Sequence, residues 1–211
     1  GSGAATDLLA LPEAAIAAVL GCGHQARTQA LAIDAVRSLD IIRVYARTAA
    51  HVQAFVRELQ PQMRARLVAA ASAAEAVAGA DIICAATTSA RPVFDGASLK
   101  PGVHVNGVGS YTLQMQEVDA ETVSRAKIFV DSRTAALAEA GDLVIPLRAG
   151  QTRSEDWTEL GEVAAGRQAG RESPREVTFF KSVGVAAQDV AAASRALAEA
   201  ARLGLGRQVE F

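Results

Sequence analysis

Gly21-Cys22-Gly23-His24-Gln25-Ala26 sets two glycines and a small residue at the spacing G-x-G-x-x-A, directly after the apolar run from Ala15 to Leu20. The chemistry that suits this spacing is capture of a pyrophosphate. Gly21 permits a tight turn, Gly23 lets the backbone approach phosphate oxygens, and Ala26 lets the next helix pack against the strand. That helix, read from His24 to Leu39, directs its free N–H groups and positive dipole end at the anion. Strand, turn and helix in this order are the context the motif requires, so a dinucleotide is the expected ligand.

Which dinucleotide binds is decided after the second strand, where a carboxylate normally meets a ribose 2′-hydroxyl. Tyr45-Ala46-Arg47-Thr48 offers a guanidinium and a hydroxyl instead. Both suit a 2′-phosphate, so NADP(H) is favoured over NAD(H). The alternative is a solvated arginine just past a strand. His51 either borders the adenosine or is a plain surface histidine. Ala85-Ala86-Thr87-Thr88 falls after a further strand, where small residues admit ribose or nicotinamide. Val105-Asn106-Gly107-Val108-Gly109-Ser110 reaches the same crevice, and its glycines read either as another close backbone approach or as an ordinary turn.

These residues need a sheet to hold them. Ile41 to Tyr45, Arg66 to Ala69, Asp81 to Ala85, Val103 to Val108 and Ile128 to Val130 read as strands. Ala49 to Leu59 and Ser72 to Ala78 read as helices between them, with Ser72 and Glu75 spaced as a capping box. Continuous apolar strands such as Ile82-Ile83-Cys84-Ala85-Ala86 fit a parallel sheet covered on both faces. The expected fold is therefore α/β, a Rossmann-type doubly wound parallel sheet over residues 12–150. Beyond Gly150 a polar, glycine- and arginine-rich passage leads to a strand-like Val177 to Val183 and a helix from Val185 to Leu203, expected to pack beside the sheet rather than extend it.

Composition bounds the rest. The 211 residues are 50% hydrophobic and 21% charged, with a formal charge of −2, which excludes extensive disorder and leaves no field to attract nucleic acid or anionic lipid. No apolar stretch has the length of a bilayer span, and the start carries no basic signal region, so a cytoplasmic protein is expected. Cys22 and Cys84 read as reduced thiols, and His24, His51 and His104 lack ligand spacing, so no metal is expected.

Taken together, the segments resemble the ornithine cyclodeaminase and mu-crystallin family. The resemblance rests on Leu20 to Ala26, Val103 to Gly109, Val130-Asp131-Ser132-Arg133 with Glu139 to Leu143, Leu160-Gly161-Glu162-Val163, and Phe180-Lys181-Ser182-Val183-Gly184 with Gln188-Asp189. It implies a homodimer with a Rossmann domain and a second domain for dimerisation and substrate. Residues 1–11 and 151–211 would be parts of that second domain, whose N-terminal portion is not represented. It also places His24, Gln25, Ala46, Ala86, Thr87 and Val108 on cofactor-contacting positions, with Lys181 and Ser182 close to the nicotinamide.

Members act on an imine beside a carboxylate with a nicotinamide hydride, so the resemblance implies an NAD(P)H-dependent oxidoreductase that reduces a ketimine or cyclic imine to an amino acid. The rival within the family is ornithine cyclodeaminase, which makes proline and ammonia. Its members carry an aspartate where Tyr111 falls here. A further alternative is a non-catalytic, NADPH-regulated binding protein for small ligands. No residue is assigned a catalytic role.

Overall fold

The computed structural model describes residues 1–207 and Val209; the expected second-domain segment therefore includes Gln208, Glu210 and Phe211, which lie outside the described residues. The chain opens with α1 (Ser2–Leu9) and β1 (Ile16–Leu20), then α2 (His24–Val36), β2 (Ile41–Tyr45), α3 (Ala49–Leu59), β3 (Arg66–Ala69), α4 (Ala73–Val77) and β4 (Ile82–Ala85). It continues through β5 (His104–Gly107), α5 (Ala120–Arg125), β6 (Ala126–Val130), α6 (Arg133–Glu139), α7 (Gly141–Arg148), β7 (Thr158–Glu159), α8 (Leu160–Ala164), β8 (Val177–Lys181) and α9 (Ala186–Leu203).

Among the described residues all strand pairings are parallel, and eight strands stand in the order β3-β2-β1-β4-β5-β8-β6-β7. The chain moves outward from β1 through β2 to β3, then crosses back to β4 on the other side of β1. The gap between β1 and β4 is thus the switch point at which open α/β sheets bind ligands. Register carries this further. Tyr45, Leu20, Ala85, Gly107, Lys181 and Val130 form one row across neighbouring strands. The residue after each lies on the carboxyl edge: Ala46, Gly21, Ala86, Val108, Ser182 and Asp131.

Period-two alternation divides the strands between two faces. In β1, Ala18 and Leu20 join one core cluster with Val105 and Phe179, while Ala17 and Val19 join another with Ile33, Val44 and Phe55. The capping hydroxyl of Ser72 accepts from the Glu75 N–H at 3.0 Å, and the Glu75 carboxylate accepts from the Ala71 N–H at 2.7 Å, one residue before the expected partner.

One expectation is corrected. Val177–Lys181 does not pack beside the sheet; it lies inside it, hydrogen-bonded to β5 on one side and β6 on the other, and β7 continues the same sheet. Its consecutive aromatics explain the insertion, because Phe179 and Phe180 project to opposite faces and both are fully buried, in separate clusters. α1 is anchored beneath this region by a buried polar chain. Arg171 donates to Thr178 Oγ1 at 2.9 Å, His104 bonds Thr178 and Asn106, and Asn106 donates to Thr6 Oγ1 at 3.0 Å. Burial, aided by the Arg171 charge, holds the His104 imidazole down at about 3, so the ring is neutral in this chain of bonds.

Among the described residues no helix is long and apolar enough to cross a membrane. Phe179→Ala should cost about 3–5 kcal/mol of folding stability, since it empties a fully packed site between β5 and β6. The measurement is the shift in urea midpoint, and a change under about 0.5 kcal/mol, the range of surface substitutions, would contradict the central placement of β8.

Candidate functional site

At the end of β1 the chain turns sharply under the carbonyl of Ala86. Gly21 has φ +115°, and any Cβ there would collide with the Ala86 oxygen, so glycine is required on two counts. The turn is locked by hydrogen bonds from Gly21 N–H to Tyr45 O and from Ala86 N–H to Leu20 O, each 2.8 Å. Gly23 serves differently. It is the N-cap of α2, makes no side-chain cap, and a Cβ built on it meets nothing within 4 Å. The space beside Gly23 at the start of α2 is therefore open, and free N–H groups at a helix start suit an anion such as a pyrophosphate. Ala26 is fully buried in the cluster that holds Val19, giving the close contact of helix and strand.

This turn forms the floor of a cleft of about 540 Å³. Its walls include Ala46, Arg47, Thr48 and His51 on the β2 side and Ala86, Thr87 and Arg91 on the β4 side. Among the described residues no aspartate or glutamate lines it. Arg47 makes no ion pair among the described residues, and Thr48 is the N-cap of α3 without using its hydroxyl as a cap. Both groups are thus free to meet an anion at the positive end of a helix. The residues fit a dinucleotide at the pyrophosphate and adenosine.

A second pocket of about 390 Å³ runs along α2 from Gln25 to Ala32 beside the start of α1, and takes in Val108 and Ser182. Two of its lining side chains, Ser2 and Gln29, carry buried oxygens with no hydrogen-bond partner, Ser2 Oγ and Gln29 Oε1. Such atoms are costly unless something bonds them. Of the predicted site residues, Gly21, Gly23, Ala46, Arg47, Thr48, Ala86 and Thr87 thus line the first pocket and Gln25, Val108 and Ser182 the second. His24 is exposed at the start of α2 and lines neither.

Lys181 also lines neither pocket. Its side chain is fully buried, with Nζ donating to Gly107 O and Ser182 O at 3.1 Å each and lying 3.5 Å from Asp142 Oδ2. The Ser182 hydroxyl is engaged as well, donating to Asp131 Oδ2 at 3.0 Å, and the same oxygen accepts the N–H groups of Val183 and Gly184. The glycines of the β5 loop do make close backbone approaches, but to the protein itself. A Cβ on Gly107 would lie 2.8 Å from the Phe179 ring, and one on Gly109 would collide with the Thr87 carbonyl. Tyr111 is 56% exposed and lines neither pocket.

Sequence reasoning missed Glu117. It is fully buried, and its carboxylate accepts from Thr87 N–H (2.5 Å), Gly109 N–H (2.5 Å) and Ser110 N–H (3.0 Å). Asp142 Oδ1 in turn accepts from the N–H groups of Glu117 (2.6 Å) and Val118 (3.0 Å). Burial pushes both carboxyls up and the Lys181 amine down, while their opposite charges pull the other way. Among the described residues no cluster of three metal-ligating side chains is present.

The two glycines give a paired test. Gly21→Ala should destabilise the fold, because it combines positive φ with a collision. Gly23→Ala should leave the urea midpoint within about 0.5 kcal/mol yet weaken dinucleotide binding by about tenfold or more, read by titration calorimetry. Unchanged binding in the second variant would show that the cradle holds no phosphate.

A sequence model of the ornithine cyclodeaminase/mu-crystallin family matches residues 1–202. Delta(1)-pyrroline-2-carboxylate reductase of Bacillus cereus is 41% identical over 212 residues, covering 100% of this chain and 65% of its own length. Ketimine reductase mu-crystallin of Macropus fuliginosus is 34% identical over 193 residues, or 91% of this chain and 57% of its own. The solved structure of Thermococcus litoralis Delta(1)-pyrroline-2-carboxylate reductase in complex with NADH and L-proline superposes with a TM-score of 0.93 at 38% identity, covering 99% of this chain and 65% of that one. This chain therefore spans less than two thirds of the length of those relatives. By the family match and by these identities, the chain belongs to the ornithine cyclodeaminase/mu-crystallin family.

Proposed function

We propose that the protein containing this chain is an NAD(P)H-dependent reductase that converts a ketimine or cyclic imine beside a carboxylate to an amino acid. The observation that carries this reading is likeness along the whole chain to a pyrroline-2-carboxylate reductase, joined to a pair of pockets suited to the two halves of a dinucleotide. Tyr111, in place of the aspartate that the resemblance assigns to cyclodeaminases, favours reduction over release of ammonia.

In this reading the Gly21–Gly23 turn and the α2 N-terminus hold the pyrophosphate, and the adenosine occupies the larger cleft. The nicotinamide half enters the second pocket beside Val108 and Ser182. A bound reduced nicotinamide supplies the hydride. The chain supplies position: Asp131 fixes the backbone of residues 182–184, and the unpartnered Ser2 Oγ and Gln29 Oε1 offer hydrogen bonds to whatever fills the pocket.

NADP(H) is the preferred cofactor, with NAD(H) as the lesser one. Arg47, the free Thr48 hydroxyl and the start of α3 surround the place where a 2′-phosphate adds two negative charges. The working protein is a cytoplasmic homodimer, its two free cysteines consistent with a reducing compartment. Segments 1–11 and 151–211, apart from β7 and β8, belong to the dimerisation and substrate unit. α9 supports this, since it buries no residue in this chain although it carries the exposed Val190, Leu197 and Leu203.

Loss of reduced-nicotinamide absorbance on adding a cyclic imine carboxylate tests the activity. Ammonia release from ornithine with bound NAD would indicate a cyclodeaminase instead, and tight NADPH binding without turnover would indicate a non-catalytic binding protein. For the cofactor, Arg47→Ala should weaken NADPH binding by about 1.5–3 kcal/mol, the range of a charged hydrogen bond, and leave NADH binding unchanged. Equal losses would remove the assignment to the 2′-phosphate.

A further inference from the structure

Glu117 lines neither pocket, yet it is bonded to a wall residue of the larger cleft and to the two residues that follow a wall residue of the second. Oε1 accepts from the N–H of Thr87, which lines the larger cleft. Oε2 accepts from the N–H groups of Gly109 and Ser110, directly after Val108, which lines the second pocket. One rigid carboxylate therefore spans the loop after β4 and the loop after β5. The carboxylate itself is held in place. Asp142 fixes the Glu117 N–H, the Glu117 carbonyl accepts from Val93 N–H at 2.9 Å, and Gly109 has no side chain to displace it.

We propose that Glu117 is a positioning residue that sets the spacing between the two pockets, so that both halves of one dinucleotide find their walls at the same time. The inference rests on the dinucleotide reading of those pockets. Its physical basis is linkage: two joined half-ligands bind far more tightly than either alone only if the two half-sites stand at the span of the linker. Each loop also has a local turn of its own. Ser89 N–H donates to Thr87 Oγ1 at 3.0 Å, and Ser110 Oγ donates to Met115 O at 2.8 Å. Each half-site can therefore keep its shape when the tie between them is cut. A glutamine at 117 cuts it, because its amide presents N–H bonds to an N–H donor at one of the two ends.

The test is calorimetric titration of the wild type and Glu117→Gln with NADPH, NADH and adenosine 2′,5′-bisphosphate, the last occupying only the adenosine half. The variant should bind the bisphosphate as the wild type does and lose about tenfold or more in affinity for NADPH, the linkage being spoiled. A role in overall folding alone would move both ligands together. Equal loss for both, or no loss for NADPH, overturns the proposal. Absence of any NADPH or NADH binding by the wild type would instead overturn the dinucleotide reading itself.

Hydrogen exchange on the wild type reads the same tie without any substitution. The amides of Thr87, Gly109 and Ser110 should be protected, and should open together, in protein free of cofactor. Exchange at the rates of open loops, or independent opening of Thr87 and Gly109, overturns it.

Discussion

Three charged side chains, Glu117, Asp142 and Lys181, are fully buried under the carboxyl edge of the sheet, and the loops of both pockets are arranged around them. Removing such groups from water costs several kcal/mol each, and their mutual attraction offsets this only when the remaining lone pairs and protons are bonded. Here they nearly all are. Glu117 takes three backbone N–H groups, Asp142 takes two, and Lys181 gives to two carbonyls and faces Asp142. Asp142 Oδ2 is the atom without a hydrogen bond, and the Lys181 charge lies next to it.

That arrangement explains why the carboxyl edge can be both hollow and ordered. Elsewhere the sheet is held by apolar side chains on two faces, but the loops beyond Ala85 and Gly107 border the two pockets and do not pack that way. Their backbone N–H groups are tied to carboxylates instead. The cost falls on sequence freedom: Gly109 and Gly141 must stay without side chains, since a Cβ on either would strike the neighbouring backbone. Gly21 obeys the same rule at the first turn.

The sequence disclosed the parts of this plan that are local. β-branched runs marked the early strands, and the G-x-G-x-x-A spacing marked a turn whose two glycines prove to have separate duties, Gly21 conformational and Gly23 spatial. The position of β8 was not legible, because strand order depends on contacts far along the chain and the polar passage before Val177 disguised a return to the sheet. Lys181 carried a usable signal. In a strand buried on both faces, period two sets it on the side of Val177 and Phe179, so an inward amine could have been inferred. Glu117 carried none, since nothing near Gln116 or Val118 hints at partners eight and thirty residues away.

The same logic separates what the two pockets need. The larger cleft works by charge: among the described residues its lining holds arginines and no carboxylate, so an anion would be favoured there without any fine placement of side chains. A site that must align two reacting groups is less forgiving, since reaction depends on near-contact geometry. In the second pocket, backbone segments on one side are tied by carboxylates that lie outside its lining. Asp131 binds the segment 182–184 through three donors, and Glu117 binds the segment after Val108 through two. Carboxylates outside the linings of both pockets thus hold the backbone on which those linings stand.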